Sequence, residues 1–279
     1  MSRCIICENK FIIFIYRTKK LKDVLIEISD DITAENAMES KPLLSIVTIY
    51  DDANERKWLR KYLSNIPHCE GGEVEVILCK TFKGKQDNIT LPANTLQNGV
   101  KITYSAVCYE DWNFSDARNA AKMLATGEWI LSLDTDEYVI QNQIGRILET
   151  IQSKPKKTGA IEVSILSHIP CTEKKEPEVT RAARLFRNDP AINWQCRIHE
   201  TVQFSLEEEG YLTDHSTITL IHEGYEISES GMIKKLERNL DLIMLEYATT
   251  KKQQIKNYCS FYNLITCRDL YKIKEKQHG

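Results

Sequence analysis

Apolar runs separated by helical patterns recur along the chain from residue 43 onward. Residues 43–50 are mostly apolar or β-branched and end in two aspartates, which is typical of a buried strand followed by a turn. Apolar side chains then fall on one helical stripe over residues 56–66, and residues 74–78 predict the next strand. A strand, a helix and a second strand in this order favour a parallel βαβ unit.

The same alternation continues through the middle of the chain. Residues 101–107 predict a strand, and Ser115 is placed to cap a helix that Gly127 would end. Residues 129–133 predict the strand that follows. Further elements are a helix around residues 144–151 and strands around residues 160–166 and 181–186. The pattern predicts an α/β fold with a Rossmann-like, mostly parallel central sheet flanked by helices.

Three parts of the chain differ in pattern. Residues 1–40 lack the rhythm of the later chain and are predicted to be an N-terminal extension. Residues 41–227 are predicted to form the α/β domain. Residues 228–279 carry apolar side chains at helical spacing in two segments, which predicts a C-terminal helical hairpin packed on that domain.

Composition narrows the class of protein. The net charge of -3 and the pI near 6.1 give no strong nucleic-acid signal. Nine irregularly spaced cysteines do not form a disulfide framework, so a reducing, cytoplasmic location is expected. The apolar stretch at residues 11–16 is too short for a transmembrane segment, which needs ~20 residues.

Acidic residues follow directly after the predicted strand at residues 129–133. Asp134 and Asp136 are one residue apart, at the end of a strand where ligands of open α/β sheets bind. Their hard oxygen ligands suit Mg²⁺ or Mn²⁺, which would neutralise a diphosphate leaving group. The alternative is a solvated turn, since aspartate is common in turns.

Sequence motifs give the acidic pair a context. They are residues 45–50 with Asn54-Glu55, WNFSDARNAA at 112–121, ATGEWILSLDTDE at 125–137, RLFR at 184–187, RIHE at 197–200 and HEGY at 222–225. In this order they resemble glycosyltransferase family 2, which has the GT-A fold, and the late motifs resemble a bacterial branch of that family. The resemblance runs from about residue 43 to about residue 247 and makes residues 41–227 the catalytic domain.

The resemblance implies a glycosyltransferase that is metal-dependent, inverting and supplied by a nucleoside diphosphate sugar. Asp134 and Asp136 would hold the metal, Mn²⁺ or Mg²⁺, with Asp134 also contacting the donor. His222 would be a further metal or phosphate ligand, because neutral imidazole binds divalent metals. The alternative for His222 is a polar residue without a ligand role.

Three further side chains are implied as contacts to the donor. Tyr50 lies at the end of the first strand, Glu55 in the Asn-Glu turn and Arg118 in the ARN motif. A guanidinium binds phosphate oxygens in a bidentate way, which suits Arg118 to the nucleotide or its phosphates. Its alternative is a charge on the helix surface.

An inverting transfer requires a carboxylate base that deprotonates the acceptor. Glu200 in the RIHE motif is the first choice, and Asp136 or Glu137 could substitute for it. An ion pair between Arg197 and Glu200 is the structural alternative.

One segment departs from the family pattern. Many members carry an aspartate-rich turn after the second strand, whereas residues 78–82 contain no aspartate. Either Asp87 or a backbone group takes over the contact to the base, or the base is held differently, so a uridine donor is not implied.

Two other functions are open. A catalytically inactive nucleotide-sugar-binding module would keep the fold without turnover. A nucleotidyltransferase also uses acidic metal ligands, but it usually has a glycine-rich loop after the first strand, and no glycine occurs between Tyr50 and Gly71. The acceptor is open as well: a glycan, a lipid-linked sugar, a protein and a modified base are all compatible.

Overall fold

The computed structural model of the chain describes residues 3–7, 11–16, 24–29, 41–69, 71–83, 89, 91–109, 112–140, 143–167, 178–224 and 228–278, with the backbone alone before residue 41. The strands are β1 (Arg3–Cys7), β2 (Phe11–Tyr16), β3 (Val24–Ser29), β4 (Leu44–Tyr50), β5 (Val74–Lys83), β6 (Thr95–Gln97), β7 (Val100–Tyr109), β8 (Trp129–Leu133), β9 (Glu137–Val139), β10 (Thr158–Ser167), β11 (Glu178–Arg187) and β12 (Leu212–His222). The helices are α1 (Asp52–Asn54), α2 (Arg60–Ser64), α3 (Phe114–Lys122), α4 (Ile144–Gln152), α5 (Gln203–Glu208), α6 (Glu229–Thr249) and α7 (Gln253–His278), and a π-helical turn (Glu55–Leu59) joins α1 to α2.

All the described strands belong to one sheet. Its order is β1-β2-β3-β7-β5-β4-β8-β11-β10-β12-β9, and β6 pairs with β7 beside this path. Strands β7, β5, β4 and β8 are parallel, which confirms the βαβ start. Among the pairs that the structure describes, β10–β12 is also parallel and the others are antiparallel. The predicted α/β fold class is confirmed, but the described sheet is mixed, so the predicted mostly parallel arrangement holds only for its centre.

The two faces of the sheet bury separate apolar layers, because side chains alternate along each strand. On β4, Leu44 and Ile46 face one layer and Val47 faces the other. The first layer includes residues of α2 and α4, and the second includes the small alanines of α3 and residues of α5. Helices therefore cover both faces of the sheet.

Helix α3 begins earlier than the sequence predicts. Its N-cap is Asn113, whose side chain accepts from the backbone N–H groups of Ser115 and Asp116, so Ser115 as the cap is wrong. The Ser115 hydroxyl instead donates to the carbonyl of Cys196. Gly127 does not end the helix either, because α3 stops at Lys122.

Residues 1–40 contain three strands, although their sequence was expected to lack a strand pattern. Strands β1, β2 and β3 pair antiparallel with one another, and β3 pairs with β7. They extend the sheet at its β7 edge. Their short apolar runs were visible in the sequence, but no turn motif between them set their register.

The predicted C-terminal hairpin is confirmed as α6 and α7. Ile243 of α6 and Ile255 of α7 pack in one apolar cluster with Cys196 and Phe204. Cys196 lies before α5, and Phe204 lies in its first turn. The hairpin is thereby packed on the segment that carries Glu200. Within the described residues, no helix combines the length and apolarity needed to cross a bilayer.

Candidate active site

A cleft of about 600 Å³ opens at the carboxyl ends of β4 and β8. Six of the seven residues predicted for the site line it: Tyr50, Arg118, Asp134, Asp136, Glu200 and His222. Glu55, the seventh, is not among the lining residues. The location agrees with the rule that open α/β sheets bind ligands beyond the carboxyl ends of their strands.

Arg118 joins the two sides of this cleft. Its Nη2 donates to Asp134 Oδ1 at 2.6 Å, and its Nε donates to Glu200 Oε1 at 2.7 Å. Its Nη1 donates to the Ser132 hydroxyl at 3.1 Å. The side chain is 7% exposed, so the surface-charge alternative for Arg118 is wrong. Its guanidinium is bonded to protein carboxylates on both sides.

A second arginine, Arg184 of β11, forms ion pairs with Asp134 and Glu137. Its Nη2 lies 3.1 Å from Asp134 Oδ2 and 2.9 Å from Glu137 Oε1. Burial alone would raise the pKa of Asp134, but the charges of Arg118 and Arg184 outweigh it and lower that pKa. Asp134 is therefore ionised at neutral pH.

Glu137 is buried beneath the acidic turn. Its side chain is 3% exposed, accepts from the Asp134 backbone N–H at 3.0 Å and pairs with Arg184. Burial raises its pKa. Because its oxygens hold the turn and Arg184, its placement does not favour Glu137 as the alternative base.

The side chains of Asp136 and His222 lie next to each other in the lining of the cleft. Asp136 Oδ2 lies 3.5 Å from His222 Nε2, and His222 Nδ1 lies 3.1 Å from the Ser167 hydroxyl. Burial would lower the pKa of His222, but the hydrogen bond to Asp136 and the nearby carboxylates outweigh it and raise that pKa.

Gly224 keeps this corner open. A Cβ built on Gly224 would lie 1.8 Å from Asp136 Oδ2 and 2.9 Å from His222 Nε2. Any other residue would displace both groups from their present position.

Asp136 and His222 fit a divalent cation as two ligands on one side. Their carboxylate and imidazole atoms are suitable ligand types, and they are close enough to share one ion. Asp134 turns its oxygens to the two arginines instead. In the part of the chain that the structure describes, no three His, Cys, Asp or Glu side chains are grouped to hold a metal.

The turn that carries Glu200 is fixed by the C-terminal hairpin. His199 has a φ of 53°, its ring stacks on Tyr262 at 4.0 Å between centroids, and its carbonyl accepts from the Tyr258 hydroxyl at 2.8 Å. Burial lowers the pKa of His199, which keeps the imidazole neutral at pH 7. The adjacent Glu200 is thus held on an ordered backbone.

The predicted alternative pairing of Glu200 does not occur. Arg197 approaches Glu246 of α6, with Nε 3.8 Å from Oε2, and its backbone N–H donates to the same carboxylate at 3.2 Å. Glu200 pairs with Arg118, and its side chain is 12% exposed. The Arg197–Glu200 ion pair is therefore wrong.

Tyr50 and Glu55 occupy different surroundings. Tyr50 is buried, its pKa is raised by burial, and among the described residues its hydroxyl finds no hydrogen-bond partner. Glu55 Oε2 accepts from Lys80 Nζ at 2.7 Å, and Lys80 also pairs with Asp52 at 2.9 Å. Lys80 belongs to the segment 78–82, which contains no aspartate, and it pairs with Glu55 outside the residues that line the cleft. Asp87 lies outside the described residues.

Two cleft residues come from α6 and were missed by sequence reasoning. Lys235 and Arg238 line the cleft three residues apart on one helix. The pattern of α6 marks an apolar stripe and a polar face, but it does not indicate what the polar face meets. Arg184 was also missed as a partner of Asp134, although an arginine in an otherwise apolar strand end is a signal.

Comparison with known proteins gives the following relatives. Residues 46–197 match the family described as Glycosyl transferase family 2. A TPR repeat-containing protein of Synechococcus elongatus is 29% identical over 167 residues, which is 56% of this chain and 39% of that protein. The chain therefore spans less than half the length of the curated relative it matches.

Two solved structures are similar at low identity. S. aureus TarS has a TM-score of 0.42 and 16% identity, with coverage of 79% of this chain and 42% of that chain. A mannosyltransferase from Pyrobaculum calidifontis, in complex with GDP-Man and Mn²⁺, has a TM-score of 0.44 and 12% identity, with coverage of 84% and 74%.

Proposed function

The chain belongs to glycosyl transferase family 2, and we propose that it transfers a sugar from a nucleoside diphosphate donor to the hydroxyl of an acceptor. The observation that carries this proposal is the convergence of Asp134, Asp136, Glu200 and His222 on one cleft at the carboxyl ends of the parallel strands. These side chains come from three elements far apart in sequence. A displacement reaction requires groups brought together in this way, because donor and acceptor must be positioned against each other.

Asp136 and His222 would hold the divalent cation, with the donor diphosphate completing its ligands. Such an ion, when bound, neutralises the charge that develops on the leaving diphosphate. Gly224 leaves the room that both side chains need to face one point. Asp134, fixed by two arginines, would orient the donor instead of binding the metal strongly.

Glu200 would act as the base. The acceptor oxygen forms a bond to the anomeric carbon while the bond to the diphosphate oxygen breaks, and the proton of the acceptor passes to Glu200. Glu200 Oε1 is bonded to Arg118, which leaves Oε2 available for this proton. A single displacement of this kind inverts the anomeric configuration.

Arg118 would act on the donor through Asp134 in preference to a direct phosphate contact. Its three nitrogen atoms already bond Asp134, Glu200 and Ser132. It therefore couples the carboxylate on the donor side to the proposed base, and it fixes the separation of these two groups.

A donor screen tests the proposal. Release of nucleoside diphosphate from a set of nucleotide sugars is measured with Mn²⁺ and with EDTA, for the wild type, Asp136→Ala and the exposed control Asp241→Asn of α6. We expect metal-dependent release that falls about a thousandfold in Asp136→Ala alone, because a metal contact contributes several kcal/mol to the transition state. Unchanged release in Asp136→Ala would contradict the assignment.

A binding measurement separates the inactive module from the enzyme. Stabilisation of the wild type by nucleotide and Mn²⁺, without diphosphate release from any donor, would identify a nucleotide-sugar-binding module. Direct titration with Mn²⁺ supplies a readout that does not depend on turnover: Gly224→Ala is expected to weaken Mn²⁺ binding, because its Cβ would displace Asp136 and His222.

A further inference from the structure

The polar face of α6 closes one side of the cleft with positive charge. Lys235 and Arg238 are three residues apart on the helix, so their side chains project to the same side. Both line the cleft together with Asp134, Asp136 and Glu200. The site thus includes cations from a part of the chain outside residues 46–197, which match the family.

These two cations differ from the arginines of the sheet. Arg118 and Arg184 are committed to carboxylates at 2.6 to 3.1 Å. By contrast, neither Lys235 nor Arg238 makes an ion pair within 4.0 Å in the described part of the chain. Among the described residues, Arg238 Nη2 donates a hydrogen bond to Oδ1 of its neighbour Asn239 at 3.0 Å. Their charge is therefore available to a ligand.

The neighbours of each cation show how far they reach. The Arg238 guanidinium carbon lies 5.7 Å from the Phe114 ring centroid, and Asp51 at the end of β4 acts on its charge. Lys235 is close enough to act electrostatically on His199, the residue before Glu200. The pair therefore extends from the strand β4 end of the cleft towards the proposed base.

The helix that bears them is fixed to the rest of the protein. Ile243 is buried in the cluster with Cys196 and Phe204, and Glu246 accepts from the Arg197 backbone N–H at 3.2 Å. The side chains of Lys235 and Arg238 therefore start from a preformed helix face, which lowers the entropy lost when they bind a ligand.

We propose that Lys235 and Arg238 form a phosphate-binding site that faces the acidic turn across the cleft. This inference rests on the proposed function, because a nucleoside diphosphate donor brings two phosphates into a cleft that already holds three carboxylates. The phosphate comes from the donor diphosphate or from a phosphate group on the acceptor. In both cases the phosphate is negatively charged and is repelled by Asp134, Asp136 and Glu200. The positive charges of Lys235 and Arg238 offset this repulsion.

The test uses the full chain and a matched control from the same helix. Lys235→Ala/Arg238→Ala is compared with Lys234→Ala, which removes an exposed lysine of α6 that does not line the cleft. Binding is measured calorimetrically for UDP and GDP, for UMP and GMP, and for inorganic pyrophosphate. Glycerol 3-phosphate and glycerol are then titrated in the presence of saturating nucleoside diphosphate.

We expect the double variant to bind nucleoside diphosphates and pyrophosphate at least about tenfold more weakly, with a smaller loss for monophosphates, since a charge-assisted contact to phosphate contributes this much affinity. That result identifies the donor as the source. A loss confined to glycerol 3-phosphate identifies the acceptor. If every ligand binds the double variant as tightly as it binds Lys234→Ala, the phosphate site does not exist.

These outcomes are distinguishable from failure of the proposed function. A wild-type chain that releases no diphosphate from any donor, yet binds pyrophosphate through Lys235 and Arg238, would contradict sugar transfer and leave the phosphate site standing. The opposite result is metal-dependent donor turnover that the double variant retains in full, with unchanged affinity for diphosphate and acceptor. It would support sugar transfer and contradict the phosphate site.

Discussion

Two carboxylate clusters at opposite ends of the central parallel strands are held in different ways. Near the start of β4 and β5, Glu75 is 4% exposed and one of its oxygens accepts from the Ser45 hydroxyl, the Thr126 hydroxyl and backbone N–H, and the Gly127 backbone N–H at 2.6 to 3.2 Å. At the other end, Asp134 and Glu200 are held by the charged side chains of Arg118 and Arg184.

The space around each cluster also differs. A Cβ on Gly127 would lie 2.6 Å from the Ser45 hydroxyl, so the Glu75 cluster is closed. Asp134 and Glu200 line a cleft of about 600 Å³. A buried acid satisfied by neutral donors in a closed site ties elements together. Acids held by arginines beside an open cleft lie where a ligand can approach them.

The same isosteric change in both clusters gives the largest expected contrast. Glu200→Gln removes the proposed base and should lower kcat about a thousandfold, within the range for loss of general base catalysis. Glu75→Gln should leave kcat unchanged. Both are measured by diphosphate release at saturating donor, with nucleotide affinity as the check on folding. Equal kcat values for the two variants would remove Glu200 from the chemistry.

Truncation of the closed cluster should act on stability alone. Glu75→Ala leaves several buried donors without an acceptor and is expected to lower the free energy of unfolding by about 3 kcal/mol. Urea unfolding measures this loss, and Glu75→Gln, which keeps an acceptor oxygen, should recover most of it. A loss below 0.5 kcal/mol in Glu75→Ala would mean that water replaces the carboxylate.

The hairpin contact to His199, the residue before Glu200, sharpens the comparison, because it bears on the open cluster alone. Tyr262→Ala removes the ring stacked on His199 and should lower kcat about tenfold through misplacement of the base, with KM for the donor unchanged. Tyr262→Phe keeps the ring and should restore kcat. A fall in thermal stability with unaltered kcat would reduce Tyr262 to a packing residue.

The smallest effect concerns pH. Burial raises the pKa of Asp116 above the usual range of an aspartate, to about 6, so the folded chain binds this proton more tightly than the unfolded chain. Its stability contribution therefore falls as pH rises from about 4 through about 6. Asp116→Asn should stabilise the protein by on the order of 1 kcal/mol more at pH 8 than at pH 4.

Urea unfolding at the two pH values measures the Asp116 effect. Asp241→Asn, an exposed change on α6, is the matched control. A stability difference between Asp116→Asn and the wild type that is the same at both pH values would show that the folded state does not perturb this carboxyl group.

The centre of the fold could be predicted because its strands are short, rich in β-branched residues and bounded by turn residues, a combination that is typical of buried parallel strands. Asp134 and Asp136 follow from the same signal, since they come directly after β8. The antiparallel edge strands could not be placed, because sequence does not fix which strands pair across long connections.

The partners of the charged residues were also beyond the sequence. The ARN motif predicts a functional role for Arg118, but its hydrogen bonds to Asp134 and Glu200 depend on how α3, β8 and the turn before α5 approach in space. The pairing of Glu55 with Lys80 was beyond the sequence for the same reason, since the two residues lie 25 positions apart in the chain.

The attachment of α6 bears on how the protein can be divided. A boundary near residue 228, chosen because the helical pattern starts there, would uncover the apolar surface around Phe204 and remove Tyr262 from His199. With the phosphate site proposed for Lys235 and Arg238, exchanging this hairpin between related chains would change ligand affinity together with the packing of the turn that carries Glu200.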